Sequence, residues 1–325
     1  MLRAFIAYGP DDLAMKLPAL SLLALGLLCS AALAQKPAQP LAQKPPAKPA
    51  RSSAEILAAT SAADWRDVDP ENLLLMTLPQ GQVLIELAPR FAPRHAQNIR
   101  ALARGGYYDG LAIVRVQDNF VTQWGDPDAD TPDKARAFPA GAQARLPAEF
   151  SVALKGLPLN ALPDVDGWAP RSGHVEGFPV AADPKTGQAW LAHCYGMVGA
   201  GRGDAVDSST GAELYAVIGH APRGLDLNIT VVGRVLRGME HLAALPRGGQ
   251  NMGFYDKPEQ RLAIRSVQLA ATLPAEQRPA LQVLRTDGEA WKALLDARRY
   301  RGGWFVHSPG HTEICSAPAP VRNKP

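Results

Sequence analysis

Several residue groups in this chain have types and spacing that suggest chemistry. His307, His311 and Cys315 stand at i, i+4 and i+8, which on a helix would put three metal ligands on one face. Ser308-Pro309-Gly310 lies between them and prevents a regular helix, so no metal site is expected. Gly199-Ala200-Gly201-Arg202-Gly203 looks like a phosphate-cradling loop. Asp204 occupies the place of the third glycine and no helical pattern follows, so no nucleotide or other cofactor is expected. No G-x-S-x-G is present, which leaves a hydrolase elbow unsupported. Cys194 and Cys315 are open to two readings: a disulfide in an oxidising compartment, or a buried thiol and a separate tail thiol.

The elements that would position chemistry are mostly short strands. Leu73–Leu78 and residues 83–88 are apolar runs joined by Pro79-Gln80-Gly81-Gln82, which reads as a hairpin. Ala92-Pro93 opens a helix on which His95, Ile99 and Leu102 share a face, and Gly105-Gly106 ends it. Strands are expected at 111–116, 119–124, 195–200, 213–218 and 230–236, a short helix at 238–245, and a closing strand at 262–270. Residues 127–193, rich in Pro, Gly and Ala with weak periodicity, read as long loops. Residues 281–300 read as one or two helices, with Trp291, Leu294, Leu295 and Arg298 on one face and its edge. The tail, with Pro309, Pro318 and Pro320, is expected to run extended. The folded part is expected to begin near Glu71.

Residues 83–127, VLIELAPRFAPRHAQNIRALARGGYYDGLAIVRVQDNFVTQWGDP, resemble the opening of the cyclophilin family. Glu86-Leu87, Ala92-Pro93 and Asn98-Ile99 match its strand–helix segment. Ile113 to Val116, Asn119-Phe120-Val121 and Gln123 to Pro127 match its "FHRVIPGFMIQGGDP" segment. Residues 196–202, 211–218 and 225–233 resemble later pieces in the same order, so coverage runs over residues 71–271. The resemblance implies a mainly β fold: a closed eight-stranded antiparallel barrel capped by two helices, here with an insertion at 127–193. Residues 272–325 would form a helical C-terminal extension.

The resemblance also implies roles. Arg115 matches the arginine that acts in a peptidyl-prolyl cis-trans isomerase, and Gln123 the residue that orients it. The imide bond resists rotation by about 20 kcal/mol. In the twisted transition state the proline nitrogen turns pyramidal and gains a lone pair, to which a permanently charged guanidinium can donate. Phe120, Val121, Leu214, Tyr215, Leu225 and Ile229 match the proline pocket, and Gly201 and Arg202 a segment that holds peptide through backbone groups. The chain departs from the family at Val114, Ile229 and Glu213, where the family has two histidines and a neutral amide. The tryptophan common near Gly224 is missing. Glu213 would either favour basic substrates or pair with Arg115.

Composition fits a globular chain: 325 residues, 46% hydrophobic and 20% charged, with 6% aromatic residues arguing against base stacking. Of the net +3, four charges come from Lys36, Lys44, Lys48 and Arg51 within residues 35–53, and the acids and bases of residues 1–34 cancel. The rest is nearly neutral, so nucleic acid is not an expected partner. Residues 17–34 are apolar, follow Lys16 and end in Ala32-Leu33-Ala34, the pattern of a cleaved export signal (residues 1–34). Residues 35–53 read as a Pro-rich tether. The expected protein is therefore periplasmic or otherwise exported, without a membrane span after cleavage. It would bind proline-containing peptides and unfolded exported proteins. Two alternatives are a non-catalytic peptide-binding module on the same fold and an assembly or cell-wall partner.

Overall fold

A computed structural model gives the structure of the chain over residues 51–129, 131 and 133–325. The expected signal segment and the tether as far as residue 50 lie outside the described residues.

Nine strands form one curled antiparallel sheet, a half-barrel. Their spatial order is Leu262–Ala263, Ala112–Val116, Val121–Gly125, Leu214–Val217, Met197–Ala200, Val231–Arg237, Gly81–Leu87, Leu73–Leu78 and Ser266–Leu269. This replaces the closed eight-stranded barrel implied by the resemblance. The expected closing strand is broken at Ile264-Arg265, and its two halves pair with opposite edges of the sheet. The first hairpin turns at Pro79-Gln80, with Leu78 opposite Gly81.

The helix Pro93–Arg104 buries Ile99 and Leu102 against the sheet, where Leu74, Met76, Ile85 and Trp124 complete the core, while its buried His95 meets Glu149 and Ser209. Each buried aliphatic side chain contributes about 1.5–3 kcal/mol. Its N-cap is Ala92, which has no capping side chain. Glu149 of the insertion fills that role, accepting bonds from the backbone N–H of Arg94 and His95, both at 3.0 Å. Among the described residues the other α-helices are Ser53–Ala58, Met239–Ala243 and Glu289–Arg299.

Three expectations need correction. The insertion is built around a five-stranded sheet (Val152–Ala153, Asn160–Ala161, Arg171–Val175, Phe178–Asp183, Gln188–Leu191) rather than loops alone. Among the described residues regular structure already precedes Glu71, in the helix Ser53–Ala58 and the strand Trp65–Asp67. The C-terminal extension is only partly helical: Leu281–Leu284 pairs with Trp65–Asp67 on one side and Val321–Asn323 on the other. Cys194 and Cys315, 121 residues apart, form a disulfide, which decides between the two readings of the cysteines.

Candidate active site

A bulge between Ile113 and Arg115 sets the geometry of the site. Ile113 pairs with Trp124 and Arg115 with Gln123, so Val114 is the extra residue. Side chains two apart normally share a face; the bulge breaks that alternation. Ile113 and Trp124 go into the core, while Arg115 and Gln123 emerge together on the other face.

Arg115 Nη1 donates to Gln123 Oε1 at 3.0 Å, Nε to the Met252 carbonyl at 2.6 Å, and Nη2 to Gln117 Oε1. Gln123 Nε2 in turn donates to Glu213 Oε1. The guanidinium lies 5.4 Å from the Phe120 ring centroid and 5.1 Å from that of Phe254. Burial pulls its pKa down to about 10, against the opposing charge of Glu213, so it remains a cation at neutral pH. Only 2% of Arg115 is exposed. Residues 248–255 cover it, running antiparallel to its strand through bonds from Val116 N–H to Gly253 O and from Tyr255 N–H to Val114 O.

Tyr215 pairs with Gln123 and stands beside it on the same face. Its ring lies across Gly199 on the next strand; a Cβ there would come within 2.2 Å of the ring, so only glycine fits. Burial raises the phenol well above its ordinary pKa and keeps it neutral. Its hydroxyl lies 2.9 Å from His193 Nε2, and His193 Nδ1 lies 2.9 Å from Asp226 Oδ1. Asp226 also accepts from Trp190 Nε1 and Arg223 Nε, while Arg223 forks onto Asp166. Burial works against the Asp226 carboxylate, but the bonds from His193 and the Arg223 charge outweigh it and hold its pKa below the usual range.

The remaining expected residues divide. Phe120 and Leu225 are half-buried, and Val121 and Ile229 are buried. Leu214 does not belong with them: it faces the core with Trp124 and Ala216, because Tyr215 takes the groove face and neighbours alternate. The Gly201 N–H is spent on the Glu213 carbonyl at 2.9 Å, so this donor is not available to a peptide. Arg202 is tied to its own surroundings, donating to the carbonyls of Asn228 and Gly203.

Sequence reasoning missed Gln117, Asp166, Trp190, His193, Arg223, Asp226, Met252 and Phe254. Asp226 follows Leu225 directly and was within reach of the matched segment. Gln117 lies inside the matched segment 83–127, between two expected strands, and the others come from stretches without periodicity.

A family model described as "Cyclophilin type peptidyl-prolyl cis-trans isomerase/CLD" matches residues 73–269. Over 88 residues the chain is 42% identical to a probable peptidyl-prolyl cis-trans isomerase of Brucella suis biovar 1, covering 26% of this chain and 45% of that protein. Over 47 residues it is 51% identical to a peptidyl-prolyl cis-trans isomerase of Schizosaccharomyces pombe, covering 14% of this chain and 30% of that one. These alignments span less than half the length of either relative. Among solved structures, cyclophilin AquaCyp293 from Hirschia baltica superposes with a TM-score of 0.66 at 25% identity, covering 84% of this chain and 97% of that one.

Proposed function

Because this chain belongs to the cyclophilin-type peptidyl-prolyl cis-trans isomerase family, we propose that it catalyses rotation about Xaa-Pro bonds, with Arg115 as the catalytic residue and Gln123 as its positioning residue. The observation that carries this reading is the Arg115–Gln123 pair, held on one sheet face beside Phe120, Val121 and Tyr215. The apolar residues hold the proline ring. The guanidinium donates to the proline nitrogen only once that nitrogen has twisted out of conjugation, so its bond favours the transition state over either ground state. No covalent step and no cofactor is needed.

Since Arg115 is 2% exposed beneath Phe254 and the Met252 carbonyl, a peptide reaches it by displacing residues 252–254. That burial also favours a second reading, in which the groove binds peptide without catalysis. Cis–trans exchange of an Ala-Pro-Phe-type peptide followed by NMR separates the two. Acceleration by the wild type and a loss of about 10–100-fold in Arg115→Ala, the worth of one charged hydrogen bond, supports catalysis. A folded wild type that binds the peptide without accelerating exchange supports the binding module.

We further infer that the protein is exported and acts on exported polypeptides. The apolar segment at 17–34 and the Cys194–Cys315 disulfide, a bond that persists in oxidising compartments, support this. Among the described residues no helix is long and apolar enough to cross a membrane. Sequencing the N-terminus of the secreted protein tests the export reading: a start at Gln35 supports it, and an intact apolar segment counts against it.

A further inference from the structure

Beside the Tyr215 wall lies a cleft of about 560 Å³, lined by groups that the rotation chemistry does not use. The insertion contributes Asp166 and Trp168, the loop before Leu225 contributes His220 and Arg223, and the C-terminal extension contributes Glu313. The Cys194–Cys315 disulfide joins two of its walls.

The cleft and the expected proline pocket share a border. His193 lines the cleft and holds the Tyr215 hydroxyl. Gly219, also in the lining, packs so closely on Asn119 that an added Cβ would lie 2.0 Å from its carbonyl carbon, and Phe120 is the next residue. Ile218 N–H donates to the Phe120 carbonyl at 2.9 Å, fixing the two segments together. A peptide whose proline sits against Phe120 and Tyr215 therefore has neighbouring residues within reach of the cleft.

Its chemistry is aromatic and electronegative. Trp168 is 60% exposed and Tyr195 53%; the Arg223 guanidinium lies 5.9 Å from the Trp168 ring centroid, and the exposed part of that ring and the Tyr195 ring are what the cleft presents to solvent. Arg223 is consumed by Asp166 and Asp226, at 2.9 and 2.7 Å. One positive charge thus faces two buried carboxylates, and the Glu313 carboxylate, which accepts from Ser316 Oγ at 3.2 Å, adds a third. Aromatic faces with surplus negative charge suit an ammonium or guanidinium group. The volume accommodates a long side chain with its adjoining backbone.

We propose that this cleft is a subsite for a lysine or arginine side chain on a residue flanking the proline of a bound peptide. The proposal rests on the peptide-binding reading of the Arg115 face. Its test uses the full oxidised chain and proline peptides that differ at one position, carrying Lys, Ala or Glu at each site from three residues before to three after the proline. Affinity is read by NMR titration and turnover by cis–trans exchange.

At one position the Lys peptide should bind about tenfold more tightly than the Glu peptide, through one cation–π contact and one ion pair. Trp168→Ala and Glu313→Gln should each shrink that ratio about threefold, and Glu313→Lys should invert the preference. A Lys/Glu ratio near one at every position, or a ratio indifferent to all three variants, overturns the subsite. Lysine preference without accelerated exchange leaves the subsite standing and removes the isomerase reading. Accelerated exchange without charge preference does the reverse, and absence of both binding and exchange removes the two together.

Discussion

The hydroxyl of Tyr215 and Nε2 of His193 lie 2.9 Å apart, and they come from different layers of the molecule. Tyr215 belongs to the curled sheet, whereas His193 follows the last strand of the insertion, one residue before the disulfide. The insertion thus sets one wall of the groove. Both groups are buried, so removing the hydroxyl leaves the imidazole nitrogen without its partner. Tyr215→Phe should cost about 1–3 kcal/mol in urea unfolding. A cost near zero would mean that water or another group takes over the bond.

The Phe254 ring centroid lies 5.1 Å from the Arg115 guanidinium, in the stretch that a peptide displaces in the proposed function. Phe254→Ala removes a cation–π contact worth about 0.5–2 kcal/mol and lowers the cost of opening the groove. Turnover of a proline peptide should rise about two- to tenfold in kcat/KM. A fall would show that the ring helps to hold the substrate.

Arg115→Lys keeps the charge and loses the planar fork that meets Gln117, Gln123 and the Met252 carbonyl together. We expect kcat to fall about 10–100-fold with little change in KM, since the lost bond acts in the transition state. A rise in KM with kcat unchanged would instead place the arginine in ground-state binding.

Stability should fall with acid because of His174. Its Nε2 lies 2.9 Å from the Ala317 carbonyl, its ring packs edge-on against Trp291, and burial lowers its pKa from 6.5 to about 3. The unfolded chain therefore takes up a proton between those values that the folded chain refuses. The stabilisation is complete above pH 6.5 and is lost as the pH falls toward 3, at up to about 1.4 kcal/mol per pH unit. Urea midpoints measured from pH 7 to pH 4 should decline, and His174→Gln should flatten the decline.

Cys315→Ser opens a link that closes 121 residues. The loop-entropy relation sets the loss at about 4–5 kcal/mol at most. Denaturant unfolding of the wild type with and without reductant should show the same loss, and the variant should be insensitive to reductant.

Much of the sheet was legible because its strands are apolar runs between turn residues, and the helix because His95, Ile99 and Leu102 repeat at helical spacing. Arg115 and Gln123 were legible as a pair through the ordered match of their flanking segments. Leu214 was misassigned because periodicity alone does not say which face of a strand meets the core, and here Tyr215 took the outer one. The insertion's sheet escaped notice because its strands are short and broken by Gly and Pro, as in residues 171–179. Phe254 could not be found by pattern at all: it lies in a glycine-rich stretch whose form is set by bonds to the strand it covers.

The broken closing strand has a consequence for assembly. Leu262–Ala263 finishes one edge of the sheet and Ser266–Leu269 the other, with Ile264 and Arg265 bonded to Leu111 and Thr77 between them. A chain shortened before residue 262 would keep seven of the nine strands yet expose two open borders at once, each able to recruit another molecule. During synthesis both borders stay unpaired until this late stretch arrives, and each then gains its edge strand from one short segment.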